Sequence, residues 1–351
     1  MSHQFSADRP LFAMSGSSER SAEHQRQQPI FEVDVEAQAL ALRNFDLAPV
    51  SLGLFPLVSG HYDRIILTGM GASHFAALPS WRRLVSHGRA TWWIDAGRLL
   101  DNPELVTPDS LLIAASRSGM CGEVVALVEK FDEITRPAAI IAITNDLDSP
   151  LAGSADCEIL LRSPSSGSPK GFLNTLAAHD YLASMIVRED SDDVASIARI
   201  VAATTYPAVF SDLVAGVTAN PRSRLAFIGF REHAATALYA GLLTKETTGI
   251  AAEAYIGGQF RHGPARVANA NLTAVLFAGR DAIANAASGR LAAHLLAAGS
   301  TVIAVGNADT AGAIDIHSPA AHVSGQVAHG VVVAEHFVSA LTADGLSANA
   351  S

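Results

Sequence analysis

Two tandem α/β domains with parallel sheets are what this sequence predicts, on three observations. Short apolar runs that stop at glycine or small polar residues alternate with helical windows. Three of those runs return in the same order about 160 residues later, as a duplicated domain requires. The chain has 351 residues, room for two domains of ordinary size.

The elements follow in order. Residues 1–30 are polar and rich in Ser, Gln and Arg, and read as a tail. Phe31 to about Leu57 has helical spacing and reads as a lead-in that ends near Pro56. RIILTG (64–69) is a buried strand, the segment after Ser73 a helix and ATWWIDA (90–96) strand-like. SLLIAAS (110–116) and AAIIAIT (138–144) are buried strands around the amphipathic GEVVALVEKF (122–131), and DCEILL (156–161) is a shorter strand. RLAFIGF (224–230), LTAVLFAG (272–279) and TVIAVGN (301–307) repeat the first, third and fourth strands. The expected boundaries are a tail and lead-in at 1–58, one domain at 59–172, linking helices at 173–220 and a second domain at 221–351.

Composition excludes several classes. Hydrophobic residues make up 49% and charged ones 17%, which suits buried parallel strands or a subunit interface. The formal charge is −10 with no Lys/Arg-rich run, so nucleic acid is not an expected partner. Two cysteines make no disulfide framework, and no C-x-x-C or H-E-x-x-H spacing offers a metal site. No apolar run is long enough for a membrane span, and MSHQFSADRPLF does not have the form of a secretory signal. A reducing cytoplasm is the expected compartment.

Two loops of the first half lie between a strand and a helix: Gly69-Met70-Gly71-Ala72-Ser73 and Ser116-Arg117-Ser118-Gly119-Met120-Cys121-Gly122-Glu123. In a parallel sheet such loops sit at the carboxyl edge, where ligands bind and helix N-termini favour anions. A third, Ser163 to Lys170, follows the strand at 156–161. Each alone reads more readily as a cap and turn; together they suggest a phosphate pocket. The matching loops of the second half, Gly229-Phe230-Arg231-Glu232-His233 and Gly279-Arg280-Asp281, have largely lost their hydroxyls.

The second half instead carries Lys245-Glu246, Ala252-Glu253-Ala254-Tyr255 and His262-Gly263-Pro264. This series resembles the signature of the isomerase part of glucosamine-6-phosphate synthase and related tandem SIS (sugar isomerase) proteins. The loop at 116–123, with Arg117 and Glu123, is most similar to the tagatose-phosphate isomerase/deaminase and fructoselysine-phosphate deglycase branches. Gly167-Ser168-Pro169-Lys170 stands at the family's A-S-T-K position. The resemblance runs from about residue 60 to 345.

It implies two flavodoxin-like three-layer α/β/α sandwiches, no cofactor and a homodimer with shared active sites. Ser73, Ser116, Ser118 and Cys121 would bind the substrate phosphate, Ser168 the sugar, and Arg117 would be a further substrate-binding residue. Glu246 would move a proton between C1 and C2. His262 would assist ring opening from the neighbouring subunit. The activity implied is phosphosugar isomerisation, with or without deamination, on a phosphorylated keto or amino sugar. Plainer readings stay open: Glu246 as a surface carboxylate beside Lys245, His262 as a turn histidine, Glu253 as a hydrogen-bonding group.

The sequence also departs from the pattern. No glutamine-hydrolysing domain is expected. The C-terminal ring-opening lysine position is Ala348, and Lys245 is the last lysine. The lysine three residues before the family glutamate is Leu243, and a phosphate-loop hydroxyl is Cys121, a weaker donor. These changes leave room for a sugar-phosphate sensor without turnover, or for a glutamine-independent aminotransferase/isomerase subunit.

Overall fold

The computed structural model describes residues 35, 37–45, 47–163, 171–190, 194–306 and 310–349. The polar tail and Ser168 lie outside the described residues. A helical stretch at 37–43 and helix α1 (Ala48–Val58) lead into the first sheet. The lead-in differs from the single helix ending near Pro56. It turns where Phe45 and Leu47 are buried, and Pro56 lies inside α1, two residues before its end. The missing N–H of Pro56 leaves one carbonyl of the preceding turn without its helical donor.

The first half runs β1 (Arg64–Gly69), α2 (Gly71–Ala76), α3 (Leu78–Ser86), β2 (Thr91–Trp93), α4 (Ala96–Asp101), β3 (Ser110–Ala115), α5 (Gly122–Lys130), β4 (Ala139–Thr144), α6 (Pro150–Gly153) and β5 (Cys157–Leu160). The one helix expected after Ser73 is two, because Pro79 enforces a restart at α3. Helices α7 (Phe172–Val187), α8 (Val194–Ala203) and α9 (Val209–Thr218) follow. The second half runs β6 (Arg224–Gly229), α10 (Ala234–Thr248), β7 (Ala252–Ile256), β8 (Leu272–Ala278), α11 (Ala282–Ala297), β9 (Thr301–Gly306), β10 (Ile314–His317) and α12 (Val323–Asn349).

Each half builds a five-stranded parallel sheet. The orders are β2-β1-β3-β4-β5 and β7-β6-β8-β9-β10, the same arrangement twice. Alternation along each strand fills both faces. Ile65, Leu67, Leu111 and Ile113 pack on one side of the first sheet, Ile66, Leu112 and Ala114 on the other. Leu225, Phe227, Val275 and Phe277 oppose Ala226, Ile228, Ala274 and Leu276 in the second. Both halves are thus α/β/α sandwiches of flavodoxin-like order.

Helix α12 serves both cores. Val327, Ala328, Val331 and Val332 join the first, and Val333, Ala334, Phe337 and Leu341 the second. Among them sits a fully buried carboxyl, Glu335. Tyr239 of α10 donates to its Oε1 at 2.9 Å, and Gln38 of the lead-in donates to its Oε2 at 2.5 Å. Burial pushes this carboxyl up to about 8, against the pull of its two donors.

Candidate active site at the first sheet's carboxyl edge

Strands β1 and β3 lie side by side, with Gly69 opposite Ala115. They are the first strand and the strand across which the order reverses, so the crevice between their carboxyl ends is the place where this fold takes ligands. Ser73 rises from the first turn of α2, half-buried. Its turn needs the left-handed backbone of Gly71, at φ +51°. Ser116 is buried directly after β3, and its N–H donates to Ile143 O at 3.0 Å. Ser118 is exposed at the tip, its Oγ accepting the Met120 N–H at 3.2 Å. Cys121 caps α5, and its thiol donates to Glu123 Oε2 at 3.3 Å. Burial is the main cause that pushes this thiol up, so it stays protonated at neutral pH.

The loops after β3, β4 and β5 are laced together. Asn145 N–H donates to Arg117 O at 2.8 Å. The Asn145 carboxamide donates to Ser163 O at 2.7 Å and accepts from Ser163 N at 2.9 Å. Loop 116–121 passes so near Ser149 that a side chain at Gly119 would overlap it. Arg117 Cδ would lie 3.0 Å from a Cβ placed on Gly171, so its side chain runs beside Gly171. Asn145 was missed in the sequence, although an Asn directly after a buried strand was a visible signal.

Helix α10 carries Glu246. It packs on α2, where Leu242 Cδ2 would stand 3.5 Å from a Cβ at Gly71. Glu246 lies one turn further along the same face of α10. Its side chain is open to solvent, yet partial burial of the carboxyl raises it above the ordinary glutamate range, with Lys245 opposing. Tyr239, two turns earlier, stacks on Phe172 with centroids 4.0 Å apart. That stack anchors α10 where the chain leaves the third loop.

The other residues fall elsewhere. His262 ends the turn after edge strand β7, exposed, its N–H on Gln259 O at 3.1 Å. No described hydrogen bond or ion pair joins it to the serine loops within one chain. Glu253 accepts from Tyr255 OH at 2.6 Å, the hydrogen-bonding role expected of it. That phenol is pushed up to about 12 by burial first and Glu253 second. Leu243 is fully buried in the first core, and Ala348 lies in the final turns of α12. Behind Ser73, His74 stacks on Trp93 at 4.3 Å and 3°, and Trp93 Nε1 donates to His74 O at 2.8 Å. Among the described residues no group of three or more His, Cys, Asp or Glu is placed to hold a metal, and no helix is long and apolar enough to cross a membrane.

In the second half, side chains crowd the start of the loop after β8. A side chain at Gly279 would strike His233 Nε2 at 2.7 Å and Gln326 Oε1 at 2.6 Å. Gln326 Oε1 accepts the Arg280 N–H at 3.1 Å.

The SIS domain family matches residues 61–185, the first sheet and most of α7. The glutamine–fructose-6-phosphate aminotransferase [isomerizing] of Sulfolobus acidocaldarius is 24% identical over 208 residues, 57% of this chain and 34% of that protein. The arabinose 5-phosphate isomerase KpsF of Escherichia coli is 30% identical over 151 residues, 38% of this chain and 47% of that protein. The chain therefore aligns with less than half the length of either relative. The C-terminal domain of glucosamine-fructose-6-phosphate aminotransferase from Francisella tularensis superposes with a TM-score of 0.69 at 16% identity, over 95% of this chain and 98% of that one. Tagatose-6-phosphate ketose/aldose isomerase from Escherichia coli gives 0.68 at 21% identity, over 95% of each chain. At these identities the superpositions establish the fold. The chain is a SIS-domain-containing protein that resembles the isomerase part of the glutamine–fructose-6-phosphate aminotransferases and the tagatose-phosphate isomerases.

Proposed function

We propose that this chain is a phosphosugar isomerase that moves a proton between C1 and C2 of a phosphorylated keto or amino sugar, with or without loss of ammonia, in the cytoplasm. Its first SIS unit spans 59–172 and its second 221–351, joined by 173–220. The observation that supports the reading is the packing of α10 on α2, with Leu242 beside Gly71 and Glu246 one turn further along that face of α10. Aldose–ketose exchange needs a base near the carbon acid, and a glutamate raised by partial burial is a better base at neutral pH. The serine hydroxyls and loop N–H groups take the phosphate, and Ser168 the sugar. Incubating the protein with hexose and hexosamine phosphates in deuterated water tests this. Deuterium entering C1 or C2 supports it, and none entering any sugar that binds rejects it.

Ser116→Ala and Ser118→Ala are each expected to weaken phosphosugar binding by about 1–3 kcal/mol, a hydrogen bond to a charged group. Calorimetric titration checks this. Equal affinity of wild type for phosphorylated and free sugar would remove the phosphate assignment.

The proposal includes a dimer, because His262 stands exposed on an edge turn while Leu40 and Phe55 leave apolar surface open. Light scattering is expected to give about twice the 36.6 kDa of the chain. Mixed Glu246→Gln and His262→Ala subunits are expected to regain part of the activity. An active monomer contradicts the shared site.

A sensor without turnover is the second reading. The observations that favour it are Leu243, buried where the family has a lysine, and Cys121, whose thiol is bonded to Glu123.

A further inference from the structure

A cleft of about 330 Å³ opens between the two halves, within the size range of small-molecule sites, and shares no residue with the serine loops. Helix α3 forms one side. The turn after β6 and the start of α12 form the other. It therefore borders the carboxyl end of β6, next to the point where the order of the second sheet reverses.

Arg231 is the unusual residue there. It holds φ +54°, a left-handed conformation that glycine takes freely and arginine does not. The equivalent turn of the first half has Gly71 at φ +51°. Strain of this kind gathers at ligand sites. Arg231 and Arg82 flank one carboxylate, Glu232, with Arg82 Nε at 3.1 Å and Arg231 Nε at 4.0 Å. Arg231 also reaches Asp281 at 3.4 Å. Those hydrogen bonds use one donor of each guanidinium out of five. Ser324 adds a hydroxyl in the first turn of α12, whose N-terminal N–H groups favour negative charge. Two guanidiniums, a hydroxyl and a helix N-terminus suit a tetrahedral anion with three acceptor oxygens better than a planar carboxylate.

Asp180 and Asp190 also line the cleft. Arg83 donates to the Asp180 carboxylate at 3.2 Å and to Asp190 O at 3.0 Å, which fixes this acidic part against α3. Each end of the cleft is mixed: Arg82 and Arg231 outnumber Glu232 at one end, and Asp180 and Asp190 outnumber Arg83 at the other. We propose that it is a second ligand site, distinct from the serine loops, for a small organic phosphate that also carries an ammonium group. The phosphate meets Arg82 and Arg231, and the ammonium faces Asp180 and Asp190. Occupancy joins α3, which directly follows the Ser73 helix, to the second half, so the site is placed to regulate the first.

Glucosamine 6-phosphate and glucose 6-phosphate, which differ only at one amino group, are the probes. Each is titrated calorimetrically into the full chain carrying Ser116→Ala and Ser118→Ala, so that the loop site contributes little. Glucosamine 6-phosphate is expected to bind still, more tightly than glucose 6-phosphate, and to weaken at least about tenfold with Arg82→Gln or Arg231→Gly. Arg231→Gly relieves the backbone and is expected to melt no lower than its parent, so lost binding there cannot be put down to unfolding. Asp190→Asn is expected to remove the preference for the amino sugar. Binding indifferent to both arginine variants, equal binding of the two sugars, or none below about 10 mM overturns the site. None of these readouts involves turnover, so the result stands apart from whether Glu246 is a base.

Discussion

Replacing Glu246 with glutamine is expected to cut turnover by about 10²–10⁴, the usual worth of a positioned acid–base group. Glutamine keeps the shape of the side chain and its place on α10, one turn beyond Leu242. The phosphate would be held by the loops after β1 and β3, to which Glu246 contributes no atom. Phosphosugar affinity is therefore expected to stay within a few-fold of wild type. Exchange of the substrate C1 or C2 proton with deuterated solvent is expected to fall in parallel, because it reports the abstraction itself. Exchange that survives the substitution would keep the isomerase but remove its base. Glu253 would then be tested, although its carboxylate already accepts from Tyr255 at 2.6 Å. Ala348→Lys separates ring opening from proton transfer. It is expected to leave exchange on an open-chain substrate unchanged.

The fold was legible in the sequence where strands are buried on both faces. β1, β3, β4, β6, β8 and β9 are central, so each is a run of apolar residues with hardly a break. Edge strands β7 and β10 were not read as strands. Their residues are only partly covered, AEAYI and IDIH carry no continuous apolar run, and β7 lay inside a motif read for its chemistry. The serine loops were visible because small polar residues followed buried strands. What joins them was not. The Asn145 bridge, the Tyr239–Phe172 stack and the Glu335 cluster link residues far apart in sequence, and no local period announces such contacts. Glu335 in particular reads as a surface glutamate in an apolar helix until Gln38 and Tyr239 close over it.

That carboxyl and four buried histidines lead to the second large effect, a stability maximum near neutral pH that a single substitution tilts. Burial lowers His74, His233 and His329 to about 4 and His179 to about 3. In the unfolded chain these rings take protons below about 6.5, while the folded rings do not. The stability they confer is present above that value and is lost as pH falls towards their folded values. Four such groups together give a slope of roughly 5 kcal/mol per pH unit, which consumes the usual stability of a folded chain by about pH 4–5. Glu335 acts with the opposite sign. Its folded value of about 8 exceeds the unfolded one, so the folded state holds a proton that the unfolded state releases. Its contribution is present below about pH 4.3 and is lost as pH rises to about 8, at about 1.4 kcal/mol per unit. Glu335→Gln removes that loss without removing the hydrogen bonds. Tyr239 still donates to the new carboxamide oxygen. Gln38, whose Oε1 has no hydrogen-bond partner among the described residues, accepts the new amide N–H by turning its own carboxamide over. Urea unfolding followed by circular dichroism between pH 5 and 9 is the measurement. The variant is expected to gain on wild type by about 1.4 kcal/mol per unit from pH 6 to 8, with the difference level beyond and the acid limb unchanged. Parallel curves for the two proteins would mean that Glu335 is ionised in the folded chain at neutral pH, with its two donors sufficient to hold the charge.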